Sequence, residues 1–174
     1  TKKAIDDLGR VEFIVSPNAE HVSYAQEWID AYPDALPLAP PYLQERFPHI
    51  QWRQCIPPMP EEWENEFDMV WIDAERVPLI GGNKPFFSEI VFCHKPSKCL
   101  FVTDLWWNYP NKDQSPANLS APLVWKFAMD SIYRPVYNNI LRVQPRHTTL
   151  LQTLLDFDFD CLVPCHGEPL EGPE

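Results

Sequence analysis

The chain has 174 residues and a mass of 20.3 kDa, the length of one domain able to bury a sizeable core. Its 14 Lys and Arg stand against 25 Asp and Glu, a formal net charge of -11, which argues against a nucleic-acid partner because phosphate tracking needs clustered positive charge. Pro outnumbers Gly by 20 to 5, but 45% hydrophobic and 13% aromatic residues exclude a disordered chain, so the prolines predict stiff, irregular loops on a folded domain.

Ala4 to Leu8 reads as a last helical turn stopped by Gly9, and Val11 to Val15 as a mostly buried strand. After the break Ser16-Pro17-Asn18, the apolar positions Val22, Tyr24, Ala25, Trp28, Ile29 and Tyr32 recur at helical spacing until Pro33 ends the run. With Leu36 to Ala39 as the next strand, the segment predicts a βαβ crossover and parallel strands. Residues 40 to 60 carry Pro40, Pro41, Pro48, Pro57, Pro58 and Pro60 and leave room only for short helical turns such as Tyr42 to Phe47. Strands are then predicted at Met69 to Ile72, Val77 to Ile80, Glu89 to Cys93 and Cys99 to Thr103, the last two joined as an antiparallel hairpin through His94 to Lys98. A polar loop, Asn108 to Ser120, leads to helical patterns around Trp125 to Asp130, Tyr133 to Leu141 and Thr148 to Phe157. A final strand, Cys161 to Pro164, empties into Cys165-His166-Gly167-Glu168-Pro169. The whole chain, 1–174, reads as a single domain.

No apolar run approaches the roughly 20 residues of a membrane span, which predicts no integral membrane segment. The odd count of five cysteines, without a CxxC pair, points to an intracellular, reducing compartment. An organelle reached after removal of a targeting peptide is equally compatible, since Thr1-Lys2-Lys3-Ala4 carries no signal core of its own. Cys161 and Cys165, four apart on a strand, would stand about 13 Å apart, beyond disulfide reach. Cys93 and Cys99 flank the hairpin turn and could face each other, the one exception to that reading.

Three strand ends deliver metal-ligand types: His21 after the first strand, Asp104 after Cys99 to Thr103, and His166 after Cys161 to Pro164. Loops beyond strand ends converge while the strands stay rigid, and two imidazoles with one carboxylate suit a zinc or iron ion with open positions. Glu20 and Glu168 are the nearest candidates in sequence to orient the histidines. The competing reading makes His21 a helix cap and Asp104 a turn former. Cys165 and His166 are not expected to form a nucleophilic dyad, because neighbours on an extended chain point to opposite faces. Trp106-Trp107 would wall a pocket beside the metal, and His49 and His147 are expected at the surface.

Taken in order, Ser16-Pro17-Asn18-Ala19-Glu20-His21, Leu100-Phe101-Val102-Thr103-Asp104 and Val163-Pro164-Cys165-His166-Gly167-Glu168-Pro169 resemble the metallo-β-lactamase-like family, in a branch where Pro-Asn replaces its His-rich motif. The resemblance implies an α/β (α+β) fold, an αββα sandwich with its metal site at one sheet edge, incomplete here at both ends. The family's His-x-His-x-Asp-His falls on Pro17, Ala19, His21 and Val22, and Gly81-Gly82-Asn83-Lys84-Pro85 holds no His where its third ligand would stand. It therefore implies at most one metal, held by His21, Asp104 and His166, with Asp104 and His166 also serving catalysis. The function implied is hydrolysis of a small ester or acyl substrate. The alternative is a non-catalytic structural or binding subunit of a larger assembly. Under either, another protein is expected to cover the exposed sheet edge.

Overall fold

Short runs of β-branched and aromatic residues, cut by Pro and Gly, make strands that must pair with distant partners because few helices are long enough to stand alone. In the computed structural model, which describes residues 1–55, 61–74, 87–108, 124, 127–136, 139 and 145–172, they form a mixed α/β arrangement with two sheets. Helix α1 (Lys2–Asp6) precedes β1 (Phe13–Val15), α2 (Ala25–Ala31), β2 (Leu36–Ala39), α3 (Leu43–Arg46) and β3 (Arg53–Gln54). These strands make a parallel three-stranded sheet in the order β1-β2-β3. The expected βαβ crossover is therefore present. Its third strand, β3, is two residues long, too short to carry a pattern in sequence.

The second sheet contains β4 (Phe67–Ala74), β5 (Phe87–His94), β6 (Cys99–Val102), β7 (Cys161–Pro164) and β8 (Leu170–Glu171), in that order. The β5-β6 hairpin forms as expected, with Lys98 at positive φ in its turn. Its register pairs Cys93 with Leu100 and His94 with Cys99. Cys93 thus faces the side opposite to Cys99, which rules out the one disulfide left open by the spacing. Strand β7 joins β6 in parallel, reached through α4 (Pro145–Leu155). Pro145 starts that helix, the one place where a missing N–H costs nothing. The helical patterns near residues 125 to 141 coincide in part with helical turns at Met129–Tyr133 and Arg134–Val136. The strand expected at Val77 to Ile80, the glycines at Gly81 and Gly82, and most of the loop from Asn108 to Ser120 lie outside the described residues.

Alternation along the strands sorts the apolar side chains into three clusters. Val70, Ile72, Val91, Cys93, Leu100 and Val102 face α4, which supplies Leu150, Leu151 and Leu154. Met69, Trp71, Ile90 and Phe92, one residue out of step, face Phe13, Val15, Leu36 and Leu38 of the smaller sheet. Ala39, on the other face of β2, packs with Ala25, Ile29, Leu43 and Trp52 around α2 and α3. The period of two along each strand is what gives every strand two different neighbours. His147, expected at the surface, is fully buried in α4, because the helix turns that face inward.

The sheets are also tied by backbone. Ile90 N–H donates to Pro17 C=O at 2.8 Å, and Asn18 bridges to Glu89. This tie lies where β1 ends, so it places the residues after β1 beside the end of β6.

Candidate metal centre

Asp104 follows β6, His166 follows β7, and both strands run in the same direction, so both residues leave the large sheet at the same edge. His21 arrives from the small sheet through the Pro17-Asn18 tie. The three side chains, separated by 83, 62 and 145 positions in the chain, converge. His21 Nε2 lies 3.2 Å from Asp104 Oδ1, His166 Nε2 lies 3.1 Å from the same oxygen, and the two nitrogens are 3.3 Å apart.

Every member of the sequence-derived site is therefore in the cluster, and its spacing fits a cation. Ligand atoms bound to one zinc at about 2.0 to 2.1 Å in a tetrahedral arrangement stand about 3.3 Å from each other. Hydrogen bonding alone serves these atoms poorly: if both ring nitrogens carry protons for the carboxylate, two N–H groups are pressed together. A cation satisfies all three at once. The side chains are 31%, 18% and 26% exposed for His21, Asp104 and His166, so the cluster is open to solvent on one side.

Two residues that build this geometry were missed in the sequence. Asn18, which is buried, uses both ends of its amide. Its oxygen accepts the Glu20 and His21 backbone N–H groups at 3.1 and 3.0 Å, and its Nδ2 donates to Asp104 Oδ2 at 2.6 Å. One side chain thus places His21 and leaves only Oδ1 of Asp104 turned to the histidines. Glu89, 0% exposed in β5, accepts the Thr103 N–H on Oε1 at 2.7 Å and those of Asp104 and Leu105 on Oε2 at 2.7 and 3.0 Å. Burial pushes its carboxyl up to about 7, against the pull of those three donors. A lone carboxylate beside the apolar run Ile90-Val91-Phe92 was the signal that could have found it. Glu20, expected to orient a histidine, instead pairs with Arg46 at 2.9 Å.

On the other side, Trp107 lies over the His166 ring with centroids 4.3 Å apart, and its Nε1 donates to the Asp104 carbonyl at 3.1 Å. Of the two expected tryptophans, Trp107 is the one against a ligand. The loop after β7 is held by backbone bonds between Asn108 and residues His166 and Glu168, with Gly167 at φ +96°, a conformation that suits glycine.

Cys165 corrects the argument from alternation. The chain has left the strand at Pro164, so Cys165 and His166 do not point apart: the thiol lies 3.9 Å from His21 Nδ1, and ligand atoms of His21, Cys165 and His166 fall within 4.8 Å of one another. Burial and the charges of Asp104 and Glu89 push this thiol up, so it stays protonated near neutral pH and is a poor nucleophile. Beside it, a cavity of about 350 Å³ runs into the space between the sheets, lined by Ile90, Phe92, Phe101 and Val163 and also by His21 and Cys165.

No family model matches the chain. No curated protein matches it either. Among the described residues no helix is long and apolar enough to cross a membrane.

Proposed function

We propose that this chain is a metallo-β-lactamase-like αββα protein whose single metal centre, His21, Asp104 and His166, hydrolyses a small ester or acyl substrate. The observation that carries the reading is the convergence of those three ligand atoms to mutual distances of 3.1 to 3.3 Å. The order of packing supports the fold: helices on the outer face of each sheet, with the sheets' inner faces packed together. A zinc or iron ion held there would supply Lewis acidity toward a carbonyl.

The chain's own residues do the rest. Asn18 fixes which Asp104 oxygen is presented, Trp107 holds the plane of His166, and Glu89 sets the backbone from Thr103 to Leu105. The open side of the cluster admits a reacting group from solvent. The adjoining apolar cavity receives the part of the substrate attached to it, since among the described residues its walls offer hydrocarbon and no Lys or Arg for an anion.

Metal analysis of the purified protein, with His21→Ala, Asp104→Ala and His166→Ala beside it, tests the centre. One equivalent is expected in the parent and less than a tenth in each variant. No stoichiometric metal in a parent protein supplied with zinc and iron overturns the reading. Release of nitrophenol from short nitrophenyl esters then separates its two halves. Metal without hydrolysis leaves a non-catalytic, metal-holding subunit of a larger assembly, whose protein partner would pair with an edge strand of one of the two sheets.

A further inference from the structure

Cys99 opens β6 and Cys161 opens β7, and the parallel register sets the two directly opposite one another. Neighbouring strands stand about 4.7 to 4.9 Å apart and paired residues share a face, which lies inside the roughly 4.4 to 6.8 Å that a disulfide spans between Cα atoms. The Cys99 thiol donates to the Ser97 carbonyl at 3.4 Å, and both cysteine side chains are half-buried, within reach of a small oxidant.

The other three cysteines have different surroundings. Cys55 is buried against the Met69 sulfur at 3.6 Å, Cys93 is buried with its thiol toward the Asp158 carbonyl at 3.8 Å, and Cys165 lies against His21. We propose that Cys99 and Cys161 form a reversible disulfide when the protein meets a glutathione-class disulfide. The proposal is independent of the hydrolase reading, because neither thiol belongs to the metal centre.

The chemistry balances as two exchanges. The Cys99 thiolate attacks one sulfur of oxidised glutathione, breaking its S–S bond and expelling one glutathione thiolate. Cys161, as thiolate, then attacks the Cys99 sulfur of the mixed disulfide and expels the second. The protein loses two electrons and two protons, and one oxidised glutathione becomes two reduced ones. The neighbouring Cys99 thiol and burial push the Cys161 thiol up to about 11, which leaves little Cys161 thiolate at neutral pH and makes its attack the slow step.

The bond would join the ends of β6 and β7 opposite to those that deliver Asp104 and His166. It would also close the loop of residues between them, restricting the unfolded chain. The expected results of incubation with oxidised glutathione are an intact mass lower by two hydrogens before any alkylation and, once the remaining thiols are alkylated, a digest containing one Cys99–Cys161 linked peptide. Reduction with dithiothreitol should reverse both, and the oxidised form should unfold at a higher urea concentration. Cys161→Ser should stop at the Cys99 glutathione adduct, and Cys99→Ser should give no linked peptide. An unreacted wild-type protein, a persistent adduct on Cys99 or a linked peptide through Cys55, Cys93 or Cys165 overturns the proposal.

Discussion

Replacing Glu89 by Gln separates the two things this carboxylate does. In the folded protein it is fully buried and accepts three backbone N–H groups from the segment that carries Asp104. A glutamine keeps one acceptor. With its oxygen toward Asp104 and Leu105, its NH2 meets the Thr103 N–H, so one hydrogen bond is lost and a buried donor is left facing another, a cost of about 1–3 kcal/mol. Against this stands the charge. A carboxyl whose value rises from 4.5 unfolded to about 7 folded binds more protons in the native state than in the unfolded chain between those values. Its contribution is most favourable below pH 4.5 and is lost as pH rises toward 7, by on the order of 3 kcal/mol over the whole span.

Glutamine carries no such charge. In chelator-treated protein, Glu89→Gln should therefore be less stable than wild type at pH 5 by about 1–3 kcal/mol and close to it, or above it, at pH 8. Urea unfolding at the two pH values measures the difference. The metal centre should respond differently, because the Asp104 backbone loses part of its support at either pH. A chelator-competition titration with zinc at pH 8 should show affinity weaker by about 10- to 100-fold. A stability difference that is the same at pH 5 and pH 8 refutes the cost assigned to the buried charge. Unchanged zinc affinity refutes the positioning role.

Asn18→Ala removes the donor to Asp104 Oδ2 and the acceptor for two N–H groups; it should weaken zinc binding by about tenfold and lower stability by about 1–2 kcal/mol, read in the same two assays. Leu154→Ala, in the cluster where α4 meets β4 and β5, leaves a cavity without removing any of the three ligand side chains. It should cost about 2–5 kcal/mol in urea unfolding while leaving zinc stoichiometry at the parent value, and a parallel loss of metal would show that the centre depends on this core.

Much of the chain was legible locally. Strands β2 and β7 fall where the runs Leu36 to Ala39 and Cys161 to Pro164 place them, because a short apolar run between Pro or polar punctuation has few other ways to bury itself. His21, Asp104 and His166 could be named because each lies at or just beyond the loop that follows such a run. Strands β3 and β8, of two residues each, carry too little pattern to be seen, and they exist because a neighbouring strand offers an unpaired edge.

The residues that make three polar side chains into a site were not legible. Asn18 is a turn residue in sequence and becomes an orienting group only because the sheets meet at Pro17 and Ile90. Glu89 is one acidic letter in a strand until the β5-β6 pairing brings it under the Asp104 loop. Which cysteines face one another was likewise set by register: spacing left open Cys93 with Cys99, and the parallel joining of β6 to β7 chose Cys99 with Cys161. Periodicity and punctuation, being local, determined which segments are strands and which polar residues follow them. Pairing partner, register and the direction of a buried side chain depend on groups tens of residues away, and these only the packed structure decided.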